Sequence, residues 1–193
     1  EFLGSVNTLI SPAKLKNLVY ENPINRNAGL DVHQEPIKNH QYLITVDVAR
    51  GLGNDYSAFI VVDITSFPYN IVAKYKNNEI KPMLFPSIIH DVAKGYNDAF
   101  LLIEVNDIGD QVASIIHYDL EYDNLLMASM RGRAGQVVGT GFSGKKTQLG
   151  VRTTSAVKKL GCSNLKTLLE DDKILVKDYE IISELTTFSQ KHN

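Results

Sequence analysis

The feature that most constrains this fold is the segment YLITVDVARGLGNDYSAFIVVD, residues 42–63, in which two apolar stretches flank a turn containing Gly51 and Gly53. Its β-branched and aromatic residues predict two antiparallel strands, at about 42–48 and 57–64. Asp47 interrupts the first of these strands. Because burying an unpaired carboxylate costs several kcal/mol at least, Asp47 requires either a structural cation partner or a metal ion.

The following residues predict a third strand at about 70–76 and then alternating helices and strands. Ile88 to Tyr96 has one apolar helical face, and the continuous apolar run Ala99 to Val105 is typical of a strand covered on both faces. A helix over Ile108 to Ile116 follows, which Asn106 or Asp107 can cap. This order predicts an α/β protein: an antiparallel meander, then strand–helix units, with helices flanking a mixed sheet.

The second half of the chain is less regular. The pattern predicts a buried strand at Leu125 to Ala128 and a short one at Ile174 to Val176. Ser129 to Gln148 is rich in glycine and lacks hydrophobic periodicity, which predicts a long loop or lid. Val151 to Leu169 predicts a helix whose apolar side holds Val157, Leu160, Leu165 and Leu168.

Residues 1–40 are predicted to form a short helix and an extended wrapping segment, with the main domain at 41–193. Ser11 followed by Pro12 is a plausible start for that helix. Cys162 is the only cysteine, which excludes an internal disulfide and a multi-cysteine metal site. The single cysteine fits a reducing, intracellular setting. Apolar runs fall far short of the roughly 20 residues of a membrane span, so we expect no membrane contact.

Three acidic residues are candidates for one site. Asp47 and Asp55 are each four positions from Gly51, so a symmetric hairpin would place them opposite each other. Glu104 joins them if the strand at 99–105 lies parallel to the first strand. A cluster of carboxylates needs a proton or cations to offset its charge. Mg²⁺ is the natural cation here, because it prefers oxygen ligands. Mn²⁺ is expected to substitute for it.

Asp47 and Asp55 also have simpler structural explanations. Asp47 can be satisfied by turn amides or by Arg50, and Asp55 by ordinary turn hydrogen bonds. Glu104 is harder to explain in this way, because glutamate is a poor strand former.

A second candidate feature is a set of basic residues interleaved with glycine. These side chains could follow a phosphate backbone while the glycines let main-chain amides approach. They are Arg131, Arg133, Lys145, Lys146 and Arg152. The alternative is a solvated loop.

Several separated motifs resemble one known family. They are VDVARGLGNDYSAFIVVD, NNEIKPMLFPSIIHDVA, LLIEVNDIGDQVA, YDNLLMASMRGRAGQ, GFSGKK and LKTLLEDDKILV, in that order. The chain is similar over nearly its whole length to the C-terminal nuclease domain of the large terminase subunit of contractile-tailed phages. The resemblance implies a ribonuclease H-like fold and a metal-dependent endonuclease that cuts concatemeric viral DNA during headful packaging.

The resemblance also implies residue roles and partners. Asp47 and Glu104 match metal-binding catalytic acids, and Asp55 matches a further acid of that site. The family's third essential acid lies in an Asp-Asp-Leu-type motif that nothing before Asn193 matches, since Asp171 and Asp172 belong to a different motif. Expected partners are double-stranded DNA, an N-terminal packaging ATPase domain of the same protein, the portal and the small terminase subunit. The expected location is the host cytoplasm, docked at the procapsid portal.

Two other classes of function fit parts of the pattern. An aspartate on a first strand followed by a glycine-containing hairpin also occurs in one lobe of actin-like ATPases and sugar kinases. A non-catalytic docking module of a DNA-translocating motor could keep the same fold. ATP turnover without nuclease activity would favour the first, and an absence of metal binding the second.

Overall fold

The computed structural model describes residues 8–130, 136–140 and 147–189. Its strands are β1 (Asn25–Asn27), β2 (Leu30–Val32), β3 (Tyr42–Asp47), β4 (Ser57–Asp63), β5 (Tyr69–Asn77), β6 (Phe100–Ile103), β7 (Met127–Met130), β8 (Gln136–Gly139), β9 (Thr147–Leu149) and β10 (Ile174–Leu175). Its helices are α1 (Pro12–Asn17), α2 (Phe85–Gly95), α3 (Gly109–Ser114), α4 (Ser155–Glu170) and α5 (Tyr179–Thr187). A π-helical turn, Ile115–Asp119, continues α3.

The main sheet has seven strands in the order β1-β2-β5-β4-β3-β6, with β10 paired to β5. Strands β3, β4 and β5 form the predicted antiparallel meander. Strand β6 lies parallel to β3, with Val46 opposite Ile103. The prediction of a mixed α/β sheet whose first three long strands are antiparallel is therefore confirmed.

Each face of the main sheet packs on its own group of helices. On one face, α2 and α3 bury a large core whose fully buried members include Ile44, Phe85, Ile89, Leu101 and Val112. On the other face, α1, α5 and the C-terminal end of α4 form a second core with Ile10, Leu169 and Ile182. The sheet is thus the middle layer between two groups of helices.

The predicted loop over residues 129–148 is wrong for the part that the structure describes. Strands β7, β8 and β9 form a separate three-stranded sheet, with Met127 opposite Gly139 and Ser129 opposite Thr147. These short strands are recognised by their backbone pairing. They lack the alternating apolar pattern from which strands are predicted, so the sequence did not reveal them. The strand predicted at Leu125 begins two residues later, and Leu125 instead bridges to Leu101.

The helix predicted from Val151 begins only at Ser155. Val151 is extended and bridges to Glu104, while the Thr154 hydroxyl accepts a hydrogen bond from Val157 N–H as the N-cap. Leu160 was predicted to lie on the apolar side, yet it is 64% exposed, and the fully buried residue of α4 is Leu169. The apolar contact of α4 is therefore confined mainly to its C-terminal end.

The N-terminal segment contains the predicted helix, and Ser11 caps it by accepting a hydrogen bond from Lys14 N–H. Its extended part includes β1 and β2, which join the main sheet through β5. The division of the chain at residue 40 stays a prediction. Within the described ranges, no helix is both long enough and apolar enough to cross a membrane.

Candidate metal and phosphate site

Two acidic residues stand side by side where β3 and β6 end. The parallel register pairs Val46 with Ile103, and Glu104 N–H donates to Val46 O at 2.9 Å. Asp47 and Glu104 are therefore the next residues on neighbouring strands, with side chains on the same face of the sheet. The fold thus brings these two acids together, as predicted. Asp47, however, is exposed at the end of its strand and is not buried within an apolar strand.

Close backbone packing holds Glu104 in place. A Cβ atom at Gly109 would lie 1.9 Å from Glu104 O, and one at Gly150 would lie 2.2 Å from Ile103 O. Asn106, which was predicted to cap α3, instead donates its amide to Glu104 Oε1 at 2.8 Å and to Thr153 O at 3.1 Å. The α3 N-cap is Ile108, without a side-chain hydrogen bond. Asn106 therefore orients the Glu104 carboxylate.

The acid pair is electrostatically unfavourable when both groups are ionised. Partial desolvation raises the pKa of Asp47, and the negative charge of Glu104 and a hydrogen bond between the two groups raise it further. Asp55 adds a smaller repulsion, and the Val48 N–H acts in the opposite direction. A proton or a metal cation would relieve this repulsion, because either one supplies positive charge between the oxygens.

Asp55 lies near the pair, but it is not opposite Asp47 as predicted. The observed register pairs Asp47 with Ala58, so the hairpin is centred beyond Gly51 and Asp55 belongs to the connecting loop. Its carboxylate still acts on Asp47 through its charge. Both residues line one cavity of about 570 Å³, together with Arg50 and Asp107 among others.

An ion pair that the sequence did not predict lies across this cavity. Arg50 Nε and Nη2 donate to the two carboxylate oxygens of Asp107 at 2.8 and 2.9 Å. Arg50 was considered as a partner for Asp47, but it binds Asp107 instead. The sequence did contain a clue to this pair. Arg50 follows Asp47 by three residues, and Asp107 follows Glu104 by three residues after the parallel neighbouring strand.

Four of the predicted phosphate-binding residues, Arg131, Arg133, Lys145 and Lys146, lie outside the described residues. Arg152 is described and exposed, and its backbone exchanges hydrogen bonds of 2.7 and 3.0 Å with the Gln136 side chain. This contact ties the segment before α4 to β8. Arg152 directly follows Val151, which bridges to Glu104, so its backbone lies close to the acid pair.

The sequence around the predicted phosphate-binding residues is more positively charged than those five residues alone indicated. Residues 124–169 contain eight Lys and Arg residues and no Asp or Glu, in a chain whose net charge is −2. The additional members are Lys158, Lys159 and Lys166, of which Lys158 and Lys159 are exposed near the start of α4. Residues 124–169 are therefore an uninterrupted positive segment of the sequence, and Val151 within it bridges to Glu104.

The donor set fits a hard divalent cation. Two carboxylates on adjacent strand ends supply oxygen ligands, which Mg²⁺ accepts while keeping several waters. Among the described residues, no group of three or more His, Cys, Asp or Glu side chains is arranged to hold a metal. The described part of the site thus offers a two-carboxylate ligand pair, with Asp55 close enough to add charge.

Fold and site together define a ribonuclease H-like domain with an acidic pair at the ends of its parallel strands. The family model of the terminase RNaseH-like domain matches residues 44–192. The chain therefore belongs to this family, as the sequence motifs indicated.

Solved structures confirm the fold. The large terminase nuclease from thermophilic phage G20c with bound magnesium aligns with a TM-score of 0.72 at 21% identity, covering 98% of this chain and 84% of that chain. The same nuclease with bound cobalt gives 0.71 at 22% identity, with the same coverage of 98% and 84%. The large terminase nuclease domain of Thermus phage P74-26 gives 0.64 at 21% identity, covering 93% and 77%.

Proposed function

We propose that this domain is a metal-dependent endonuclease that cuts concatemeric viral DNA during headful packaging. The observation that carries the proposal is the pairing of Asp47 with Glu104 at the ends of β3 and β6, in a chain of the terminase RNaseH-like family. The magnesium- and cobalt-bound phage nucleases of the same fold support divalent-metal chemistry. Mg²⁺ is the proposed cofactor, and Mn²⁺ is expected to replace it.

The proposed roles of the residues follow from their positions. Asp47 and Glu104 would hold the ions and Asp55 would contribute to the same site, while Asn106 keeps the Glu104 carboxylate oriented. Bound ions of this class activate water and stabilise the leaving oxygen in phosphodiester hydrolysis, in a two-metal arrangement. The raised pKa of Asp47 fits such a site, because a cation removes the repulsion that otherwise favours its protonated form.

The DNA is proposed to follow the positive segment between residues 124 and 169. This segment passes next to Glu104, since Val151 bridges to that residue and Arg152 comes directly after it. Arg131, Arg133, Lys145 and Lys146 are proposed to contact the same backbone. Lysine and arginine side chains that neutralise phosphates release counterions, so binding should weaken steeply with salt.

The wider context is proposed from the family alone. Residues 41–193 would form the nuclease unit, with residues 1–40 as a wrapping segment. The partners would be double-stranded DNA, an N-terminal packaging ATPase domain of the same protein, the portal and the small terminase subunit. The complex would act in the host cytoplasm, docked at the procapsid portal.

The decisive experiment is plasmid nicking in Mg²⁺ and in Mn²⁺ by the wild type, Asp47→Asn and Glu104→Gln. Each substitution should reduce cutting by more than about a hundredfold, above the effect typical of residues that only orient a metal ligand. Asp123→Asn, at an exposed acid before β7, is the matched control and should cut normally. Full cutting by Asp47→Asn would remove this residue from the mechanism and would refute the proposal.

The proposed DNA path has its own test. A Lys158→Ala/Lys159→Ala double variant should bind a DNA duplex more weakly, and the slope of log affinity against log salt should fall by about two if each lysine meets a phosphate. Lys16→Ala/Lys38→Ala, at two exposed lysines before the sheet's long strands, is the control. An unchanged slope in the first variant would place the DNA elsewhere.

A further inference from the structure

The ion pair between Arg50 and Asp107 has no evident structural task. Both side chains are largely exposed, 64% for Arg50 and 60% for Asp107. Exposed ion pairs contribute about 0–1 kcal/mol or nothing measurable to folding. The pair nevertheless has two-point geometry, and both residues line the cavity that contains Asp47 and Asp55.

The backbone on the Arg50 side is anchored. Gly51 has a φ of +66°, and a Cβ there would lie 2.3 Å from Ile80 O. The next glycine, Gly53, exchanges two 3.0 Å hydrogen bonds with Asn78, one through its N–H and one through its carbonyl. The turn is therefore fixed to the segment between β5 and α2, while the Arg50 side chain extends into solvent.

The backbone on the Asp107 side is equally constrained. Asp107 has a φ of +53°, a conformation uncommon outside glycine. It lies between Asn106, whose side chain binds Glu104, and the segment leading to Gly109, which packs against Glu104 O. Both arms are thus held by the same elements that position the two acids, and only side-chain rotation is needed to separate Arg50 from Asp107.

We propose that Arg50 is the phosphate-positioning residue of this site and that Asp107 is its partner in the DNA-free state. The planar guanidinium fork binds a carboxylate and a phosphate with the same two-point geometry. When DNA enters, Arg50 exchanges the Asp107 carboxylate for two non-bridging oxygens of a backbone phosphate beside Asp47. Asp107 acts as the competitor that this exchange displaces. The inference rests on the proposed DNA-cutting function and names a residue that holds the substrate.

The exchange predicts opposite effects on DNA affinity for the two halves of one ion pair. Arg50→Ala should weaken binding of a DNA duplex roughly ten- to hundredfold, as expected for two lost charge-assisted hydrogen bonds. Asp107→Asn should tighten binding severalfold, because the competitor and a repulsive charge are both gone. Arg50→Lys should fall between Arg50→Ala and the wild type. Fluorescence anisotropy in Ca²⁺ and in EDTA measures all of these affinities.

A purely structural pair predicts a different pattern. If Arg50→Ala and Asp107→Asn weaken binding alike, or if neither changes it, the pair only braces the turn and the inference is wrong. It is also wrong if Asp107→Asn loses affinity only in Ca²⁺, because Asp107 would then belong to the ion site. Thermal unfolding should be nearly unchanged in each variant, and Arg50→Lys carries the test if Arg50→Ala does not fold.

The wild type separates this inference from the proposed function. A wild-type domain that neither binds nor nicks DNA refutes the nuclease proposal itself. A wild-type domain that binds DNA, with variants that fail the opposite-sign pattern, refutes only the role of Arg50.

Discussion

Two groups of acidic side chains next to the main sheet differ in the cations that the described residues place beside them. In the first group, the Lys74 cluster, the Lys74 ammonium lies 3.0 Å from Asp178 Oδ2, 2.6 Å from Glu180 Oε2 and 3.4 Å from Asp31 Oδ2, and Lys74 is only 6% exposed. In the second group, Asp47 and Glu104 face each other, and the nearest cation in sequence, Arg50, binds Asp107 instead. The Lys74 cluster contains its own cation, whereas among the described residues no salt bridge joins a cation to Asp47 or Glu104.

The pKa values of Asp178 and Asp47 follow this difference. Burial alone would raise the pKa of Asp178, but hydrogen bonds from Ile181 N–H, Lys74 and His33 hold it below its ordinary value. Desolvation and Glu104 shift the pKa of Asp47 in the opposite direction. A cavity of about 510 Å³ adjoins the Lys74 cluster, yet its acids are already satisfied. We therefore assign the Lys74 cluster to folding, while the Asp47 pair is the site of the proposed function.

The largest expected effect comes from removing the internal cation. Lys74→Met should destabilise the domain by roughly 3–5 kcal/mol, because it leaves the buried Asp178 carboxylate without its charge partner. Urea unfolding followed by circular dichroism measures this change. Lys76→Met is the matched control on the same strand, since Lys76 pairs with the largely exposed Glu184 at 2.8 Å and should contribute about 1 kcal/mol or less. Equal losses in the two variants would mean that Lys74 has no special structural role.

A smaller effect is expected from acid, with opposite signs at the two sites. The depressed pKa of Asp178 stabilises the fold above the ordinary value of 3.8, and this contribution is lost as the pH falls through the folded-state value. The raised pKa of Asp47 destabilises the fold at neutral pH, and protonation removes this penalty as the pH falls toward 3.8. Each unit of pKa difference corresponds to about 1.4 kcal/mol.

Urea midpoints of the wild type, Asp178→Asn and Asp47→Asn across the acid range measure both signs. Asp178→Asn should lose less stability on acidification than the wild type does. The difference between Asp47→Asn and the wild type should vanish once Asp47 is protonated. Parallel acid profiles for all three proteins would contradict the assignment of opposite pKa shifts.

The two clusters also differ in how far the sequence predicted them. The Asp47 pair was predictable, because the two acids lie at the ends of the regular strands β3 and β6 and the helical crossover between these strands implies that they are parallel. The hairpin after Asp47 is not symmetric about Gly51. Asp47 pairs with Ala58 instead of Asp55, so the predicted position of Asp55 was wrong. Turn geometry depends on backbone contacts such as that of Gly51 with Ile80, which no local pattern reveals.

The Lys74 cluster could not be predicted from the sequence. Its members come from β2, β5 and the start of α5, and Lys74 and Asp178 are 104 residues apart. Only the tertiary packing of α5 onto β5 joins them. Similarly, β8 and β9 were missed because a small sheet of short strands has no apolar alternation, and Leu160 was misassigned because α4 packs mainly through its C-terminal end.

The smallest expected effect is a gain of stability at the acid pair. Without metal, Asp47→Asn should stabilise the domain, because it removes the desolvation cost of the charged group and the repulsion by Glu104. Solvent screening at this exposed position should keep the gain below about 1 kcal/mol. Thermal unfolding in EDTA measures it, with Asp123→Asn as the neutral control. In excess Mg²⁺ or Mn²⁺ the order should reverse, since only the wild type retains both carboxylates and gains stability from ion binding. An Asp47→Asn variant that is less stable than the wild type in EDTA would show that this carboxylate, like Asp178, supports the fold, and the distinction between the two clusters would fail.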